Sequence, residues 1–135
     1  MCASEGDWKK AVESLVAAEA AAGEGTPAAA SAVEAVFRRL ARELEGGASL
    51  DLLASLSSTW HAHDEATRSI ATNCATRACA RGGRLEDGLR LLEEGLRGPG
   101  LRIEAGTLDS LAVAAQAAGR GDLFEELLEE RDYLL

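Results

Sequence analysis

A chain of 135 residues with 23 Asp and Glu against 14 Lys and Arg carries a net charge of −9, which repels nucleic-acid backbones and anionic membranes and argues against nonspecific polyanion binding. Its 47% apolar content suits the core of one domain, but only 4% is aromatic and much of the rest is alanine, a composition that favours packed helices over a sheet.

In chain order, the hydrophobic spacing predicts seven amphipathic helices and no convincing strand. Asp7 reads as the N-cap of a first helix whose Trp8, Val12, Leu15 and Val16 share one face before Gly23 and Gly25. Thr26-Pro27 opens a second, with Val33, Val36, Phe37, Leu40 and Leu44 as its stripe and Gly46-Gly47 as its stop. Ser49 is expected to cap a shorter third helix carrying Leu52, Leu53, Leu56 and Trp60 inward, and His61 to Asp64 form a polar break. Asp64 caps a fourth, with Ile70, Cys74 and Ala78 inward up to Gly82-Gly83. The fifth runs from near Leu85 to Arg97 on Leu85, Leu89, Leu92 and Leu96 and stops at GPG, residues 98–100. Thr107 is expected to cap the sixth, with Leu108, Leu111, Ala112 and Ala115 inward. Asp122 opens the seventh, which buries Leu123, Phe124, Leu127 and Leu128.

Two of these stretches nearly repeat one another. CARGGRLEDGLRLLEE ends at Glu94 and AAQAAGRGDLFEELLEE at Glu130, and Gly83 precedes Gly119 by 36 residues. Taking Gly6, Gly47, Gly83 and Gly119 as equivalent turns gives steps of 41, 36 and 36. Self-similarity at such a period marks stacked helical hairpins, none of which can bury its apolar face alone. The expected fold is therefore all-α, a short α-solenoid of about three and a half tandem hairpins in a single domain, 1–135. It comprises a lone second-type helix at 7–22 and hairpins at 27–60, 64–97 and 107–132.

The stretches from Ile70 to Leu96 and from Gly106 to Glu130 resemble two pentatricopeptide repeats, through their small, Asn and Leu positions before an Ala-Gly-Arg type of turn. GDWKKAVESLVAA resembles the second helix of another, and Ala28 to Trp60 a degenerate third unit. Other tandem hairpins, tetratricopeptide-like ones included, share the Gly turn and the Leu-Leu-Glu-Glu ending. The resemblance implies single-stranded RNA binding in a mitochondrion or plastid. Asn73 falls at the family's first-helix specificity position and Asp109 at its counterpart one repeat later. Thr72 and Leu108 stand where an aromatic is typical, so a stacking platform for bases is missing.

Charge is uneven, with balances of −6, +3 and −6 over residues 1–65, 66–102 and 103–135. Asn73, Arg77 and Arg81 recur every four residues along one helix face, which with Asp109 forms the candidate RNA groove. Trp8, Val12, Leu15 and Val16 form the candidate protein-docking face, because no first-type helix precedes them to cover it. Arginine makes up 12 of the 14 basic residues and suits interfaces through its planar, bidentate fork.

No catalytic residue, metal site or cofactor is expected. His61, His63, Cys74 and Cys79 lack metal-ligand spacing, and the carboxylates of Glu125, Glu126, Glu129, Glu130 and Asp132 read as the solvated face of a terminal helix. MCASEGDWKKAV has neither a secretory nor a transit layout, and no apolar run approaches the roughly 20 residues that span a bilayer, so a soluble chain is expected. The odd number of cysteines, Cys2, Cys74 and Cys79, fits reduced thiols in a reducing compartment. That compartment is an organelle if the resemblance holds and the cytoplasm otherwise. The leading functional reading is a non-catalytic interaction subunit docked to protein partners in a larger complex; the alternative is an organellar single-stranded RNA binder.

Overall fold

The structure, a computed structural model, describes residues 4–22, 29–57, 59–97 and 101–134, with side chains from 8 to 21 in the first segment. Among the described residues all regular structure is helical. α1 spans Ser4–Ala22, α2 Ala30–Arg42, α3 Gly46–Ser55, α4 Glu65–Arg81, α5 Leu85–Leu91, α6 Ala105–Ala117 and α7 Gly121–Leu134. A 3-10 turn, Trp60–Ala62, precedes α4, and a π-turn, Leu92–Leu96, continues α5. α2, α4 and α6 lie in a row, α4 against both of the others; α1 packs on α2 and α3, and α7 on α6.

α4 is the centre of the molecule, touched by α2, α3, α5 and α6. The expected stripe of Ile70, Cys74 and Ala78 is therefore too narrow: Thr67, the whole run 71–76 and residues 78–80 are buried, while Ile70 is only half-buried. Alanine, threonine and cysteine dominate this helix because four neighbours at close range leave room for nothing larger. The threonine hydroxyls stay satisfied by bonding back along the helix, Thr72 to the Arg68 carbonyl at 2.8 Å and Thr76 to that of Thr72 at 2.7 Å. Asp64 caps α4 as expected, its carboxylate accepting from the Thr67 N–H at 2.8 Å, and hydrogen bonding by the Thr67 side chain and then by its N–H holds the Asp64 pKa below its ordinary value.

The turns after α2, α4 and α6 share one geometry. Leu44, Gly83 and Gly119 all adopt a left-handed backbone, with φ of 58°, 84° and 76°. The following N–H reaches back five residues in each, from Glu45 to Leu40, Arg84 to Cys79 and Arg120 to Ala115, at 2.9, 2.7 and 2.9 Å. These are Schellman closures. Measured from those turns, burial recurs at Val33, Val36, Phe37 and Leu40, then at Thr72, Ala75, Thr76 and Cys79, then at Leu108, Leu111, Ala112 and Ala115.

Several sequence expectations need correction. The counterpart of Gly83 is Leu44, not Gly47. The glycine pair lies inside α3, and Gly46 is small because a Cβ there would sit 2.9 Å from the Cys79 Cα. The stripe residue Leu44 is accordingly a turn residue, 42% exposed. Asp7 is not a cap, since α1 begins at Ser4. Ser49 lies within α3 with its hydroxyl on the Glu45 carbonyl, and Thr107 lies within α6 with its hydroxyl on Asn73. Of the α7 stripe only Leu127 is fully buried; Leu123, Phe124 and Leu128 are half-buried against α6. Cys2 and the expected breaks at Gly23, Gly25, Thr26-Pro27 and 98–100 lie outside the described residues.

Candidate functional site

The predicted RNA groove does not form as expected. Asn73 is fully buried, and both ends of its amide are used inside the protein. Nδ2 donates to the carbonyls of Ser69 and Arg102, both at 2.7 Å. Oδ1 accepts from the Glu104 N–H at 3.0 Å and from the Thr107 hydroxyl at 2.7 Å. Asn73 thus pins the segment 101–104 and the start of α6 onto α4, and it has no free edge to read a base. Its counterparts ten residues before the other two turns are similarly engaged. Glu34 accepts from the Thr67 hydroxyl at 3.1 Å, and Asp109 pairs with Arg131 at 2.7 Å. The Asp109 bond is the main cause of a raised Arg131 pKa.

The predicted docking face is also mostly covered. Leu15 is 4% exposed, and Trp8 and Val12 are half-buried against the core shared with α2 and α3; Val16, at 36%, is the most open of the four. The cover comes from α2 and α3, the helices that follow α1 in sequence.

What remains open is the face that α2, α4 and α6 present together. Arg38 and Arg42 on α2 precede Leu44 by the same distances as Arg77 and Arg81 precede Gly83, and Val113 and Ala117 take those positions before Gly119. Four arginines therefore stand in two rows beside an aliphatic row. Arg77 is partly occupied by Glu104 at 3.3 Å and by the Cys74 sulfur at 3.4 Å, and Arg38 lies 3.8 Å from Glu34. Arg42 and Arg81 are exposed and form no ion pair among the described residues. Arg81 borders an open cleft of about 760 Å³ lined by Leu44, Ala80, Val113, Ala114 and Ala117, with Ser110 and the Arg131-paired Asp109 also on its wall. Val113 is 65% exposed, unusual for a valine on a packed helix.

Sequence reasoning missed Glu34, Arg38 and Arg42 as members of this pattern. Their signal was present, but it emerges only when the first turn is set at Leu44 rather than Gly47.

Other ionisable groups are structural. His63 Nε2 lies 3.1 Å from Glu19 Oε1 in a buried pair. Cys74 and Cys79 are buried free thiols, and burial raises the pKa of both, Cys79 to about 11. Among the described residues no group of three or more His, Cys, Asp or Glu is placed to hold a metal ion, and no helix is long and apolar enough to cross a membrane. The chain matches no protein-family model, no characterised protein and no solved structure.

Proposed function

We propose that the chain is a non-catalytic helical-repeat module, a short pentatricopeptide-like α-solenoid, that serves as an interaction subunit of a larger complex. The shared turn geometry and recurrent burial of α2, α4 and α6 support the solenoid reading, since stacked hairpins repeat both. The observation that carries the function is the exposed aliphatic row of Val113 and Ala117 on a cleft that the unpaired Arg81 borders. Apolar centre with arginine at the rim is the composition of protein contact surfaces. Docking is assigned to this face rather than to Trp8, Val12, Leu15 and Val16. The organellar setting rests on the resemblance alone.

The test is affinity capture from nuclease-treated extract with the wild-type chain and a Val113→Asp variant. Protein partners retained by the wild type and lost with the variant support the reading; retention of every partner by Val113→Asp overturns it. Single-stranded RNA is the second reading, favoured by the four-arginine array. It predicts salt-sensitive RNA enrichment that Arg42→Ala/Arg81→Ala abolishes and Val113→Asp spares.

A further inference from the structure

The cleft's chemical complement is carried by the same chain. On α7, Glu125, Glu129, Asp132 and Tyr133 fall at i, i+4, i+7 and i+8, a single helical stripe. By helix geometry they lie about 140° to 240° around the axis from Leu127, whose side chain is buried against α6. The stripe therefore points away from the body of the molecule and cannot turn into its own cleft. Glu125 and Glu129 form no ion pair among the described residues, and Asp132 meets only its chain neighbour Arg131, at 2.9 Å. Tyr133 is 92% exposed and Leu134 47%.

We infer that the occupant of the α4–α6 cleft is the outer stripe of α7 from a second copy of this chain. This deepens the reading of the cleft as a docking surface and rests on it. Glu125 and Glu129 of the incoming helix meet Arg42 and Arg81, and Tyr133 covers Leu44 and Val113. Each copy then satisfies two unpaired cations with two unpaired carboxylates and removes an aromatic and two aliphatic side chains from water. The net charge of −9 opposes association of two copies, yet the unpaired charges of the two surfaces are opposite in sign, Asp109 on the cleft wall being paired with Arg131, so pairing is directional. One cleft is small beside the roughly 800 Å² per partner of a stable interface, so the contact is weak and concentration-dependent. Because cleft and stripe are different surfaces, it is heterologous, propagating head to tail unless the rotation closes a ring.

Sedimentation velocity of the full chain over a wide concentration range tests this. The wild type is expected to sediment faster as concentration rises, and to return to the monomer value in about 1 M salt, where exposed charges are screened within ~3 Å. The variants Arg42→Glu/Arg81→Glu and Glu125→Arg/Glu129→Arg are each expected to stay monomeric with unchanged helical circular dichroism, all four side chains being exposed. An equimolar mixture of the two re-associates, because each supplies what the other has lost. Val113→Asp, which alters no arginine, weakens self-association at least tenfold. A wild type that stays monomeric throughout overturns the inference, as does association that ignores the charge reversals or dissolves on nuclease treatment. A monomeric wild type whose partners are still lost with Val113→Asp would leave the docking surface standing with another occupant. Self-association through the cleft without any captured partner would overturn the complex-subunit reading instead.

Discussion

His63 Nε2 and Glu19 Oε1 are 3.1 Å apart, with side chains only 2% and 9% exposed, and this contact joins α1 to the segment that leads into α4. His63 is one partner of a carboxyl group that burial has withdrawn from water, so losing that partner leaves the group less well satisfied. His63→Ala is expected to cost about 2–3 kcal/mol, read as a lower urea midpoint. His63→Gln, whose amide can donate from a similar position, should recover most of the loss. Hydrogen exchange should show α1 amides losing protection first.

Gly82 and Gly83 are adjacent and constrained for different reasons. A Cβ on Gly82 would stand 2.6 Å from the Leu44 carbonyl oxygen and 2.8 Å from that of Ala78, whereas a Cβ on Gly83 meets nothing within 4 Å and conflicts only with φ of 84°. Gly83→Ala is expected to cost about 1 kcal/mol, the left-handed penalty alone. Gly82→Ala should cost more, about 2–3 kcal/mol, because backbone must move. Leu44→Asn places a residue that tolerates positive φ at an exposed turn and should raise stability by about 0.5 kcal/mol. Thermal unfolding of the three variants checks the order.

Asn73 makes four hydrogen bonds from a fully buried amide, three of them to segment 101–104 and the first turn of α6. Asn73→Ala is expected to destabilise by about 3 kcal/mol through unsatisfied backbone groups and a cavity. Asn73→Asp should be no milder, since the lost donor leaves a carboxylate facing the Ser69 and Arg102 carbonyls. The chemical shifts of residues 101–104 are expected to move in both variants.

Cys79 has a folded-state pKa of about 11 against an ordinary 9.0, raised mainly by burial. The folded state therefore keeps a proton that the unfolded state releases, so stability is full below pH 9 and falls between pH 9 and 11. The loss is on the order of 2 kcal/mol. Cys79→Ala should flatten that part of the pH profile, Cys74 contributing in the same direction. Ellman's reagent at pH 8 should label both thiols slowly in the folded chain and quickly in urea.

Helix number and the Asp64 cap were legible in the sequence because they rest on local physics. Hydrophobic period, glycine and proline punctuation and side-chain capping act within a few residues and do not depend on neighbours. The residues that line one face could be read for α2 and α6, which pack on limited sides. They could not be read for α4, since four neighbours leave it only the narrow polar face of Arg77 and Arg81, and alanine, threonine and cysteine carry little pattern. The tertiary structure also decided the meaning of particular residues. Leu44 takes the left-handed turn while Gly46 serves the approach of α3 to Cys79, and a turn at Leu44 sets Arg38 and Arg42 in register with Arg77 and Arg81. Asn73 turned inward because a segment 31 residues downstream brought it a backbone N–H, and Trp8 was covered because α2 and α3 fold onto α1. Contacts between residues far apart in the chain depend on where whole helices come to rest. That is a sum over the packing of the entire core, which no short window of sequence contains.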